Sequence, residues 1–270
     1  MIDPISELAF SSDSILRWLS SACCWARPVT VDARFLYGAP GAGLKVESRA
    51  RLERDPSPFE GLDGFKFGRH DEQFREEIIE IPVSTTDGAG VSTIRLQPGR
   101  RGSTSSYPLR LNTVVSVEEP GGRAVSESLR VAYRPADLYI GVKPSFDRRA
   151  PQGQATSFEI AAVGADGSLE SRELSWRLLA INYHYDWYRE GGQWRWRRSR
   201  TVDVVNEGVM STATGATSTI EIAGLDWGSH ELIVEGPGGR SASYGFYAGW
   251  GGQVSDDGVE APDRVEVSLI

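Results

Sequence analysis

Three histidines, two adjacent cysteines and one dense run of aromatic and arginine residues are the places in this sequence where chemistry could sit. His70, His184 and His230 lie far apart, and none has a His-x-x-x-His partner or a nearby cysteine, so no metal set is offered. They read as solvent-facing or turn-region histidines. Cys23 and Cys24 are neighbours, and adjacent thiols rarely bridge each other without strain. The Gly-x-Ser-x-Gly elbow of acyl transfer is absent. Asp186 and Glu190 flank Trp187 and could suggest a glycosidase pair, but hairpins carry such charges routinely. The stretch Gly38-Ala39-Pro40-Gly41-Ala42-Gly43-Leu44-Lys45 imitates a phosphate loop only loosely. Leu44 separates the last glycine from Lys45, and a strand follows where a helix is needed, so a turn is the better reading. The expectation is a chain with no catalytic residue, no cofactor and no metal.

The aromatic run is the sharpest local feature. Tyr183, Tyr185 and Trp187 share one face of a strand, and Trp194 and Trp196 share a face of the returning strand across Gly191-Gly192. An aromatic stripe at period 2 is usually core, and that reading is preferred. The competing reading is an exposed platform for a sugar or a partner, with Tyr185, Trp187, Trp194 and Trp196 as the contact residues. Arg195, Arg197 and Arg198 would then cover the outer face or stack on the rings.

The elements that position this run are strands. Val29, Val31, Ala33 and Phe35 alternate with Thr30, Asp32 and Arg34, which is the two-residue period of a half-buried strand. Residues 54–64, rich in Pro, Gly and Asp, read as a loop. Leu109–Glu118 and Ala124–Tyr133 flank Glu119-Pro120-Gly121-Gly122, a hairpin signal. Pro135 marks a boundary within the short link Arg134-Pro135-Ala136-Asp137, which limits relative motion. About seven short strands then follow from Leu138 to Ala248, separated by Gly-rich turns, the pattern of an immunoglobulin- or fibronectin-like sandwich. No strand–helix alternation appears, so a parallel sheet is not expected. The expected organisation is all-β: an atypical segment 1–28 (a short helix over Ile15–Ala22 or disorder), antiparallel sandwiches over 29–134 and 138–250, and over 251–270 a linker and the start of a truncated next domain.

The totals agree. A chain of 270 residues suggests two domains. A net charge of −8 argues against a nucleic-acid partner, because phosphate binding needs a basic field. No run of about 18 apolar residues is present, so this fragment is not expected to insert in a membrane. Asp3 and Glu7 stand where a secretory signal needs a basic region.

Several stretches, in order, resemble the macroglobulin-type domains of bacterial α2-macroglobulins. In the first half they are Ala33–Leu44, Phe65-Lys66-Phe67-Gly68, Thr86-Asp87-Gly88-Ala89-Gly90 and Val117–Val125. In the second they are Leu138–Pro144, the Tyr185-Asp186-Trp187-Tyr188 hairpin ending at Trp194-Arg195-Trp196, Asp226-Trp227-Gly228 and Phe246–Trp250. The closing Ala261–Val267 looks like entry into the domain tied to the bait region. The resemblance implies a protease trap: cleavage of a bait segment rearranges a shell of sandwich domains around the protease. It implies partners, namely other domains of the parent chain and proteases met by the full-length protein. It also implies a periplasmic location, often with a lipid anchor to the inner membrane. The family's Cys-Gly-Glu-Gln thioester is absent, since Cys23-Cys24-Trp25 does not match it. Only a scaffold role carries over to these residues.

Overall fold

The computed structural model describes residues 8–9, 27–99 and 104–249. The first half contributes β1 (Leu8–Ala9), β2 (Arg27–Asp32), β3 (Arg34–Phe35), β4 (Lys45–Arg54), β5 (Lys66–Phe67), β6 (Glu77–Glu80), β7 (Ser84–Thr85), β8 (Val91–Leu96), β9 (Leu109–Glu118) and β10 (Ala124–Tyr133). The second half contributes β11 (Leu138–Pro144), β12 (Thr156–Gly164), β13 (Glu173–Glu190), β14 (Gln193–Ser211), β15 (Ser218–Ile222), β16 (Gly228–Glu235) and β17 (Ser241–Ala248). All strand pairings within these sheets are antiparallel, the all-β architecture that the alternation implies.

The chain divides into two compact units, one of residues 1–58 and 74–136, the other of 59–73 and 137–270. In the first unit the sheet order is β10-β9-β4-β6, with β7 also on β4, and β2 pairs β8. Strand β9 shows why these residues fold so: Leu109, Leu111, Val115 and Val117 are buried at alternate positions and pack with Val46, Ala50 and Leu52 of β4. The segment read as atypical enters this unit: β1 pairs β3, and β2 starts at Arg27. The short helix expected over Ile15–Ala22 lies outside the described residues.

The second unit stacks sheet β15-β12-β11-β5 against sheet β14-β13-β16-β17. Its inner faces meet in a core of Ile140, Phe158, Ile160, Leu178, Leu232 and Phe246, among others. Seven strands come from 138–248, and the eighth, β5, comes from an excursion within the first half. The contiguous range 29–134 therefore differs from the folded division, because 59–73 belongs with the second unit. The reason is the sequence of β11, Leu138-Tyr139-Ile140-Gly141-Val142, which is apolar on both faces. Ile140 and Val142 point into the sandwich, while Tyr139, only 2% exposed, is covered from outside by Phe59 at a ring distance of 5.8 Å. Gly141 is required here, since a Cβ would stand 2.8 Å from the Phe67 ring.

Candidate functional site: the aromatic hairpin

Strand β16 pairs β13 only through Ser175–Ile181. Beyond Ile181, β13 continues with β14 as its partner, in unbroken register from Asn182↔Thr201 to Glu190↔Gln193. At about 3.3 Å per residue this two-stranded arm runs for roughly 30 Å past the sheet. Gly191 and Gly192, with φ of 59° and 80°, form the turn at its tip. Positive φ at both central residues is what the twist of a tight hairpin demands.

The register sorts the side chains. Tyr183 lies opposite Arg200, Tyr185 opposite Arg198, Trp187 opposite Trp196 and Arg189 opposite Trp194. Directly opposed residues of an antiparallel pair share a face, so tyrosine, tryptophan and arginine positions line one side of the arm. That side is open: Trp187, Trp194 and Trp196 are 54%, 66% and 55% exposed. The core reading of the stripe fails for these three tryptophans. Among the described residues no third strand pairs with this part of the hairpin, so period 2 puts them on one face without a second layer to cover it. Tyr185 keeps its register position; its side chain lies outside the described residues. Residues 183–200 hold five arginines against two carboxylates in a chain of net charge −8. By sequence the arm is a cationic aromatic segment of an acidic protein.

The histidines separate by environment. His184 is exposed on the arm. His230, expected at the surface, is instead 3% exposed and stacks on Phe246 at 5.6 Å. Its Nδ1 lies 3.1 Å from the Gly228 carbonyl, which can only accept, so Nδ1 carries the proton. Burial holds its pKa below the ordinary 6.5, against weaker opposing pulls from Gly228 and Asp226. The unfolded chain therefore binds this proton more readily, and stability falls as pH drops below 6.5 until the folded pKa is passed. His230→Phe should flatten that part of a urea-unfolding pH profile, where one such group contributes at most about 1.4 kcal/mol per pH unit. An unchanged slope between wild type and variant would contradict the assignment.

His70 was not singled out by any pattern, yet it joins the excursion to the second unit's sheet. Its backbone N–H donates to Ser243 Oγ at 3.1 Å, and its Nδ1 lies 2.8 Å from the same oxygen. Gly245 leaves room for the ring, since a Cβ there would stand 3.1 Å from Nε2. His70, Asp71 and Glu231 bring ligand-type atoms within 4.8 Å of one another. Arg69 holds Asp71 through two bonds of 2.9 and 2.7 Å, and Arg200 lies 3.2 Å from Glu231 Oε2, while the buried Glu231 Oε1 stands 3.4 Å from His70 Nδ1. The Arg69 bond is also the main reason the Asp71 pKa lies below its ordinary value. The hydrogen bonds from His70 to Ser243 fasten the segment 69–71 to β17, and the Arg69–Asp71 pair lies beside them.

Comparison with known proteins resolves the family. The model of the bacterial α2-macroglobulin MG5 domain matches residues 25–135, and that of bacterial macroglobulin domain 6 matches residues 141–250. The chain belongs to the bacterial α2-macroglobulin family. The α2-macroglobulin of Xylella fastidiosa strain 9a5c is 31% identical over 249 residues, covering 89% of this chain and 15% of its own length. That of Escherichia coli K12 is 25% identical over 260 residues, covering 89% of this chain and 16% of its own length. The cryo-EM structure of the native conformation of the E. coli α2-macroglobulin superposes with a TM-score of 0.68 at 22% identity, over 96% of this chain and 17% of that one. A crystal structure of Salmonella α2-macroglobulin reacted with methylamine gives 0.67 at 22% identity, over 92% and 17%. The chain thus spans about a sixth of the length of these relatives, the part made of macroglobulin domains 5 and 6.

Proposed function

We propose that this chain is a non-catalytic scaffold segment of an α2-macroglobulin-type protease trap, its two macroglobulin domains framing the bait region. The observation that carries the reading is the consecutive match to domains 5 and 6 of that family, in family order, over 25–135 and 141–250. Its partners are the other domains of the parent protein and, through the whole protein, proteases; nucleic acid is not among them. The location that goes with this role is the periplasm, with the parent a candidate lipoprotein of the inner membrane. Among the described residues no helix is long and apolar enough to cross a membrane.

The test is made on the parent protein read from the gene on both sides of these codons. After exposure to trypsin, the parent should leave cleavage of a small chromogenic substrate intact and block cleavage of a large protein substrate. The 270-residue chain alone should do neither. Equal loss of both activities, or a reading frame without bait-like and further sandwich sequence, would rule the trap out. A second reading, a carbohydrate- or surface-binding module, is favoured by one observation, the exposure of Trp187, Trp194 and Trp196. It requires tryptophan fluorescence to shift on glycan addition.

A further inference from the structure

We infer that His70, Asp71 and Glu231 form a binding site for a divalent transition-metal ion of the zinc type, which pins the excursion to the sheet it crosses. The ligands come from stretches far apart in sequence, His70 and Asp71 from the excursion and Glu231 from β16, so spacing along the chain offered no metal set. Their ligand-type atoms lie within 4.8 Å of one another. Glu231 is the observation that points to a ligand. Its side chain is 5% exposed, and Oε1 accepts no hydrogen bond among the described residues. A buried carboxylate oxygen without a donor is costly, so it calls for a positive partner. Oε1 is aimed into the cluster, with His70 Nδ1 3.4 Å away.

Ser243 Oγ accepts the His70 backbone N–H at 3.1 Å and lies 2.8 Å from Nδ1. The hydroxyl proton of Ser243 is free to donate to Nδ1, so Nδ1 needs no proton of its own. A neutral Nδ1 and Glu231 Oε1 are then two acceptors side by side, and a cation between them satisfies both. Zinc held by N and O ligands at about 2.0–2.1 Å in tetrahedral geometry sets neighbouring ligand atoms about 3.3 Å apart. The 3.4 Å between Nδ1 and Oε1 matches that edge. The Asp71 side chain is 50% exposed and supplies a third oxygen by a small rotation, since its carboxylate keeps lone pairs beyond those Arg69 uses. The His70 side chain is 45% exposed, which leaves water a way in as the fourth ligand. Imidazole beside carboxylates suits first-row transition ions better than calcium or magnesium. Arg200 on Glu231 Oε2 and Arg69 on Asp71 orient each carboxylate from behind. Gly245, opposite Glu231 in register, leaves room for the His70 ring. The same two arginines offset the carboxylate charge, so the affinity is micromolar rather than nanomolar.

Zinc titration of the 270-residue chain carrying Cys23→Ser and Cys24→Ser, which removes its only thiols, tests this. Calorimetry should show one ion per chain with a Kd of about 1–50 µM. Nuclear magnetic resonance of the three imidazoles locates the ion: the His70 nitrogen signals should shift with zinc, while those of His184 and His230 stay. Calcium at the same concentration should move none of them, and an equal response to calcium overturns the assignment to a transition ion. His70→Ala and Glu231→Gln should each weaken zinc binding about tenfold or more. No binding up to about 1 mM zinc, or binding that leaves the His70 signals in place, overturns the site. A proton shared by His70 and Glu231 in place of a metal gives that result. Binding undiminished in both variants overturns it as well. The chain with all three ligands intact decides alone if a variant fails to fold. None of these outcomes depends on whether the parent traps proteases.

Discussion

Phe158→Ala should lower the stability of the second unit by about 3–5 kcal/mol, the largest effect expected of a single truncation there. Phe158 is fully buried near the start of β12, between Pro144 of β11 and Ile220 of β15 in register. It touches the other sheet through Phe246 at 5.3 Å and Tyr244 at 6.4 Å of β17, and Phe146, in the loop after β11, packs edge-on against it at 5.7 Å. Removing one ring from such a set loses its transfer free energy and leaves a void that neighbouring strands, pinned by their ladders, close only in part. Phe158→Leu should cost distinctly less, because most of the volume is kept. Urea unfolding followed by the cluster's near-ultraviolet circular dichroism reads both changes. A cost below about 1 kcal/mol for the alanine variant would mean that this cluster is not the centre of the core.

That prediction exposes what the sequence could and could not convey. Alternation marked the strands well: Leu109–Glu118 and Ala124–Tyr133 run as the pattern implies. Alternation cannot say which face of a strand acquires a covering layer. The stripe at Tyr183–Trp196 and the phenylalanines at 158 and 246 are both aromatic, yet only the latter are enclosed between two sheets. The difference is decided by the length of β16, which stops pairing at Ile181 while β13 goes on to Glu190. A hairpin longer than its sheet leaves its far end without a core, and nothing local to Trp187 records that. The excursion 59–73 was equally hidden. Its Phe65-Lys66-Phe67-Gly68 was visible as a motif, but its partner, the two-faced apolar run of β11, lies about 70 residues away. The partners of His70 were hidden for the same reason, since its contacts with Glu231 and Ser243 are made only once that excursion has crossed to β16 and β17.

Arg134→Ala should destabilise the first unit by about 3–5 kcal/mol, an effect out of scale with a residue at the end of a domain. The Arg134 side chain is 6% exposed, and Asp55 opposite it is 13% exposed. Nη2 donates to Asp55 Oδ2 at 2.6 Å and to the Pro58 carbonyl at 2.8 Å, while Nη1 donates to the Leu109 carbonyl. One guanidinium thus ties the last strand of the unit to the start of β9 and to the loop where the chain leaves for its excursion. The planar fork suits this, because it meets a carboxylate and two carbonyls at once, and an ammonium cannot keep all of those angles. Removing it strands Asp55 as a buried carboxylate and leaves the Leu109 and Pro58 carbonyls short of a donor. The pair itself need not be strongly favourable, since desolvation offsets much of the attraction between buried charges. The double variant Arg134→Met/Asp55→Ala should therefore be more stable than Arg134→Ala alone, although it lacks more of the native contacts. Thermal unfolding of the three proteins side by side decides the matter. A double variant no better than the single one would show that the tie to the two carbonyls, and not the stranded charge, sets the cost.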